Sequence, residues 1–272
     1  MLPNNVNQII LSESKEYKDF INEICNWDTL ESIFLSFDVD WAPDYMLDDL
    51  INLLGDAPAT FFITHNSKCV RKIEDNYSVG THPNLSKGSS QGDGIDQCIE
   101  FFKKKKLSKF TLNRFHILGF SYRDLVALSK EGLELDSSSL FLNHHYLTPH
   151  FQNELNIVNA PYFWEDGMRL NNKVSYNDSF INYNCPGLKI FDFHPIDIYL
   201  NTYSIEHRNE FKFSFDSVIN AKKGDAEKFI NKSHRGTRDI LIELLEKRKR
   251  NEFKIYDLGF LNNRFRDILK YE

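Results

Sequence analysis

Short apolar and aromatic runs alternate with helix-spaced stretches along most of this 272-residue chain. "SIFLSFD" precedes a helical segment from about Tyr45 to Leu54, for which Asp44 offers a cap and Gly55 a stop. "ATFFITH" (59–65) leads to a short helical stretch at 68–75, and "GIDQCIEFFKKKK" reads as a helix before the strand "FTLNRFH" (110–116). The helix "SYRDLVALSKEG" comes next, then the strands "LELDSSSLF", "NIVNAPYF" (156–163) and "LKIFDFHP" (188–195). A long helix over roughly 225–249, the strand "FKIYDLG" and a helix "NNRFRDILK" complete the series. Strands that alternate with helices are joined by crossovers and run parallel. About seven such units predict an α/β fold with a closed or nearly closed barrel, an open doubly wound sheet being the alternative. Polar residues favour the barrel. Asp38 and Asp40, His82, Arg114 and His116, Asp136, Asp166 and His194 each stand at or just past a strand's C-terminal end. A barrel gathers those ends on one face, whereas an open sheet spreads them along an edge.

The first strand frames the chemistry. Ile33 to Phe37 is apolar and aromatic apart from Ser36, then runs into Asp38-Val39-Asp40. If extension persists to residue 40, the two carboxylates share a face. Like charges held together raise one pKa unless a cation sits beside them. A metal site or an acid–base pair accounts for two aspartates better than a simple turn does.

With 41% hydrophobic residues, 23 of them Phe, the chain can fill a large core. No linker or repeat divides it. The expectation is a single barrel domain over 31–272, with residues 1–30 as an N-terminal extension packed on it. A net charge of −6 leaves no overall footprint for nucleic acid, and "FFKKKKLSKF" (101–110) reads as a solvated helix end. The N-terminus lacks the basic start and apolar core of a secretory signal, and no stretch approaches a membrane span. Cys25, Cys69, Cys98 and Cys185 form no CxxC pair and suit buried thiols of a cytoplasmic protein.

Of nine histidines, His82, His116 and His194 share one context: strand, histidine, break. One carboxylate with two neutral imidazoles makes an open metal site, which Asp40, His82 and one further histidine would satisfy. The loop "LNHHYLTPH", with His144 and His145, is a weaker source of that ligand because adjacent side chains diverge. HExxH, GxSxG and GxxxxGK[ST] patterns are all absent.

"LSFDVDW", "VGTHPN", "NRFH" and "FDFHP", in that order, resemble the polysaccharide deacetylase family of NodB-homology carbohydrate esterases, and most closely its WbmS-like branch. The resemblance covers about Phe34 to Pro195 and implies a distorted (β/α)7 barrel, a divalent metal (commonly zinc) and hydrolysis of N-acetyl groups on amino sugars. It makes Asp38 the base, Asp40 and His82 metal ligands, Arg114 the arginine that orients the base, and His194 the acid. Asp166, in "FWEDG", would hold the acid, and Trp164 would wall the groove; Trp41 and Asn84 are further expected substrate contacts. Ser86 stands where the family usually has a second histidine ligand. His116 is assigned that vacancy, since it lies two residues from Arg114 and shares its face if the strand is extended. The expected activity is metal-dependent deacetylation of an amino sugar or glycan intermediate of surface-polysaccharide biosynthesis. A small-molecule amidohydrolase and a non-catalytic glycan-binding barrel are the alternatives, and the oligomeric state is left open.

Overall fold

The computed structural model describes residues 14–107, 110–172 and 181–270. The first two elements are helix α1 (Lys15–Cys25) and strand β1 (Ser32–Asp38), every residue of which is buried. Helix α2 (Asp44–Leu54), β2 (Thr60–Ile63), α3 (Lys68–Asn76), β3 (Ser78–Thr81), α4 (Ile95–Lys105), β4 (Leu112–Asn113), α5 (Tyr122–Lys130) and β5 (Leu135–Asp136) follow in regular alternation. A hairpin-like pair, β6 (His150–Gln152) and β7 (Ile157–Asn159), leads to β8 (Trp164–Glu165) and α6 (Asp166–Asn171). After β9 (Ile190–Phe193) come α7 (Pro195–Leu200), α8 (Ile205–Phe213), α9 (Lys223–Ala226) and α10 (Thr237–Lys249). Strand β10 (Lys254–Tyr256) and α11 (Leu258–Lys270) end the fold.

The sheet order is β6-β7-β5-β4-β3-β2-β1-β9-β8, with β10 paired to the first half of β1. All pairings are parallel except β6 with β7. The two ends of this sheet are stitched together by the chain between β5 and β8. Leu140 bridges Tyr162, and the amides of Phe141 and Asn143 donate to the carbonyls of Tyr162 (3.0 Å) and Phe163 (2.9 Å). The Phe163 amide in turn donates to the carbonyl of Ile190, the first residue of β9, at 2.9 Å. The result is a distorted (β/α)7-type barrel in a single domain, and the open-sheet alternative falls away. Strands covered on both faces carry near-continuous apolar runs, which is what "IFLSF" and "TFFI" are.

Several elements differ from expectation. Asp44 is the first residue of α2 and does not cap it; Pro43 holds the cap position, and an Asp44 oxygen accepts from the Cys69 amide. The strand expected at 110–116 contains only Leu112–Asn113, and His116–Leu118 forms a 3-10 turn. The expected long helix at 225–249 is broken between α9 and α10: Gly236 caps α10, its amide donating to Asp239 Oδ2 at 2.9 Å, and packs so tightly on Asn201 that a Cβ there would overlap its backbone. Helices α6 and α7 are six residues each, too short to show a period. All four cysteines are free and buried. Residues 108 and 109 of the basic run lie outside the described residues. Among the described residues, no helix is long and apolar enough to cross a membrane.

Of the expected N-terminal extension, residues 1–13 lie outside the described residues, and α1 packs its Phe20 ring edge-on against Phe265 of α11 at 5.5 Å. Asn26, in left-handed conformation at φ 51°, locks this helix to the barrel. Its Oδ1 accepts from the amides of Glu31 (2.8 Å) and Ser32 (2.9 Å), and its Nδ2 donates to the Ser32 carbonyl at 2.9 Å. Replacing it with Ala orphans two amides and places a side chain without local hydrogen bonds in the left-handed region. We expect Asn26→Ala to lose about 2–4 kcal/mol in chemical denaturation; a loss below about 0.5 kcal/mol, the range of ordinary surface substitutions, would show that this anchor contributes little.

Candidate active site and metal centre

Asp38 is the last residue of β1, and the chain turns immediately after it. Asp40 and Trp41 are both left-handed, at φ 44° and 55°. The two aspartates therefore converge through a tight turn, not through continued extension as the strand alternation predicted. Such conformations cost roughly 1–2 kcal/mol per non-glycine residue, and they gather at functional sites. The turn is pinned by Val39 N to the Phe62 carbonyl (3.1 Å), Ala42 N to the Val39 carbonyl (2.9 Å) and Trp41 N to Thr64 Oγ1 (3.1 Å).

This turn aims Asp40 at two imidazoles. Its Oδ1 lies 3.2 Å from His82 Nε2 and 3.1 Å from His116 Nδ1, and the two nitrogens are 3.2 Å apart. Yet Asp40 Oδ1 is buried without a properly directed hydrogen bond. Three donor atoms face one another around a common centre. His82 Nδ1 sits 2.7 Å from the Arg114 carbonyl, which can only accept, so Nδ1 carries the proton and Nε2 presents a lone pair. Ligands ~2.0–2.1 Å from a tetrahedral zinc lie ~3.3–3.4 Å from each other, close to the separations here. A divalent cation fits Asp40, His82 and His116, with room for further ligands on the cleft side. Burial works to raise the Asp40 pKa, but the His116 and His82 contacts and the His194 charge hold it well below the usual carboxylate range.

Asp38 lies beside this set, its Oδ2 3.6 Å from His82 Nε2. Beneath it is Arg114, fully buried, with its guanidinium between the rings of Phe62 (4.4 Å) and Tyr162 (4.3 Å). Nη1 donates to Asp38 Oδ1 (3.1 Å), to Ser36 Oγ (2.9 Å) and to Asp192; Nε and Nη2 donate to the carbonyl and hydroxyl of Ser137. On the other side, His194 donates its backbone N–H to Asp166 Oδ2 (2.9 Å), and its Nδ1 lies 2.6 Å from Asp166 Oδ1. Its Nε2 points into the cleft, 3.5 Å from Asp40 Oδ2. Burial would lower the His194 pKa, but the Asp166 charge and hydrogen bond, with help from Asp40, raise it well above the ordinary histidine value.

Asp38, Asp40, His116 and His194 line a cleft of about 220 Å³, together with Tyr162, Glu165, Arg208 and Lys212, while His82, Arg114 and Asp166 are buried beside them. Two larger surface clefts, of about 600 and 510 Å³, carry no comparable cluster of histidines and carboxylates. Asp38, Asp40, His82, Arg114, His116, Asp166 and His194 thus come together as expected. Trp41 joins them, its ring edge-on to His116 at 5.4 Å.

None of the three expected substrate contacts lines the cleft, and Trp41 touches it only through His116. Trp164 is fully buried, packed on Phe193 (4.9 Å) and Phe191 (5.8 Å). It pairs with Phe191 in the sheet register, so it shares the outward face of that strand, and Glu165, opposite Asp192, faces inward in its place. Asn84 is occupied locally, its Oδ1 accepting from the Ser86 amide at 3.0 Å. Ser86 itself is exposed in that turn, and His144, also exposed, sits with its Nδ1 2.8 Å from the His145 carbonyl. Asp136 supports the scaffold by accepting from Asn113 and Ser138. Asp192 and Glu165 were not anticipated. Asp192 stands two residues before His194 inside an apolar strand, and that spacing was its available signal.

Comparison with known proteins identifies the family and the fold. A family model described as WbmS-like polysaccharide deacetylase matches residues 35–212, more than half of the chain. A solved structure from Bordetella bronchiseptica, described as a candidate polysaccharide deacetylase involved in O-antigen biosynthesis, is similar at 28% identity and TM-score 0.67. The match covers 79% of this chain and 90% of that one. A candidate polysaccharide deacetylase from Mycobacterium smegmatis shares the fold at TM-score 0.52 and 12% identity, over 88% and 91% of the two chains. No curated protein matches the sequence. With its fold, its ordered strand-end motifs and the family match in agreement, the chain belongs to the WbmS-like polysaccharide deacetylases.

Proposed function

We propose that this protein is a zinc-dependent N-deacetylase acting on an amino sugar within a glycan intermediate of surface-polysaccharide assembly. One observation carries most of the weight: a two-histidine, one-aspartate donor set lies between an arginine-held carboxylate and an aspartate-held histidine, at one cleft lined by Asp38, Asp40, His116 and His194. The O-antigen role given for the Bordetella relative supports the choice of substrate class.

The metal, when bound by Asp40, His82 and His116, supplies Lewis acidity that polarises the acetamide carbonyl and acidifies water. Asp38 accepts the proton of the attacking water, and Arg114 fixes the carboxylate that receives it. His194, protonated on both nitrogens, is oriented by Asp166 at Nδ1 and donates from Nε2 to the sugar nitrogen as the C–N bond breaks. Acetate and a free amine result. The direct test is acetate release from N-acetylated nucleotide sugars and lipid-linked glycans after chelation and again after zinc is restored. Release that requires zinc supports the proposal; none from any of them with zinc bound contradicts it.

The two aspartates should fail differently. Asp38→Asn should keep zinc and lose ~10²–10⁴ in turnover, whereas Asp40→Asn and His116→Ala should bind zinc more weakly. Zinc titration of the three purified variants checks this, and unchanged affinity in His116→Ala would remove it from the ligand set.

Asp166 sets the pH range. A raised pKa keeps His194 protonated to higher pH, and the donor is lost as pH rises through that value. Asp166→Asn removes the main upward influence, so the basic limb of the kcat/KM profile at saturating zinc should move to lower pH. An unmoved limb would mean that His194 is not the group titrating there.

A further inference from the structure

Strands β1 and β9 lie side by side in parallel register, with Ser36 opposite Asp192. Alternation places Ser36 on the face of Asp38 and Asp192 on the face of His194. A second polar pair therefore sits one layer beneath the proposed base and acid, and both members are fully buried. A carboxylate in such surroundings is costly unless it is paired and hydrogen-bonded. Asp192 Oδ1 accepts from Ser36 Oγ at 2.8 Å and from Arg114 Nη1, while Oδ2 is buried with no hydrogen-bond partner among the described residues. The nitrogen that holds Asp38 is thus shared with Ser36 and Asp192.

We infer that Asp192 is a positioning residue: with Ser36 it anchors the Arg114 guanidinium from below and so sets where Asp38 stands in the cleft. This role rests on Asp38 acting as the base. Nη1 has two hydrogens and three oxygen neighbours, so the loss of one acceptor leaves it free to close on the other two. The guanidinium makes both bonds charge-assisted, and Asp192 is the dominant anchor because its Oδ1 accepts from Nη1 and also from the Ser36 hydroxyl, so that it holds Ser36 in place as well. Misplacement of a reacting group by 1 Å can cost about 10²-fold in rate, so a partial loosening should be readily measured.

The test is a double-mutant cycle on the zinc-loaded protein. Asp192→Asn should lower kcat about tenfold, with KM within about twofold and zinc content unchanged. In the Asp38→Asn background, the same change should cost less than about twofold of the residual turnover, because its effect passes through Asp38. Ser36→Ala should show a smaller loss, about threefold, that also vanishes in that background. If Asp192→Asn fails a thermal-melt check for folding, the Ser36→Ala cycle decides alone. An unchanged kcat, or an equal loss in both backgrounds, overturns the positioning role. Full turnover in Asp38→Asn alone, or a wild-type protein without deacetylase activity, overturns instead the proposed function and this role with it.

Discussion

A single buried cation organises the centre of this barrel. The Arg114 guanidinium is removed from water entirely, a step that costs several kcal/mol before compensation. Compensation comes from neighbouring strands: Ser36 and Asp38 from β1, Asp192 from β9, and Ser137 just after β5. Aromatic faces above and below, Phe62 and Tyr162, complete the enclosure. The Arg114 carbonyl also receives the His82 ring, so one residue positions the proposed base through its side chain and a proposed metal ligand through its backbone. A lysine could not do this, since it has no planar fork to satisfy three directions at once.

Around that fixed point, the site separates charges that would otherwise repel. Asp38 faces the guanidinium, Asp40 faces two imidazoles, and Asp166 faces His194. Arg208, clamped to Asp197 with its Nε 3.0 Å from Oδ1, approaches Asp166 from behind at 3.8 Å. Each of these three carboxylates thus has a cationic or imidazole partner. The strained turn at Asp40 and Trp41 is what lets adjacent aspartates serve two different partners.

Much of this was legible in the sequence because two periodicities are strong. Alternating strands and helices predicted the barrel, and polar residues at strand ends predicted seven of the residues that the fold gathers at the candidate site. His116 followed from its two-residue spacing to Arg114, even though the formal strand is only Leu112–Asn113. The misplacement of Trp164 has a physical cause: β8 is two residues long, too short for alternation to reveal which face is buried. Extension through Asp40 failed because a left-handed turn is not encoded by glycine here; aspartate and tryptophan occupy it, held by tertiary contacts. Asp192 was readable by the same period-two logic applied backwards from His194. The break before α10 was not, since the Gly236 cap there is held by a contact with Asn201, which is distant in sequence.

The central claim is that Asp40, His82 and His116 hold one catalytic metal ion. Anomalous diffraction collected on either side of the zinc absorption edge, from crystals of the zinc-loaded protein, tests it most directly. The account predicts one strong peak bounded by Asp40 Oδ1, His82 Nε2 and His116 Nδ1, with its open side toward Asp38 and His194. A peak on His144 or His145, or none within bonding distance of His116, would contradict it.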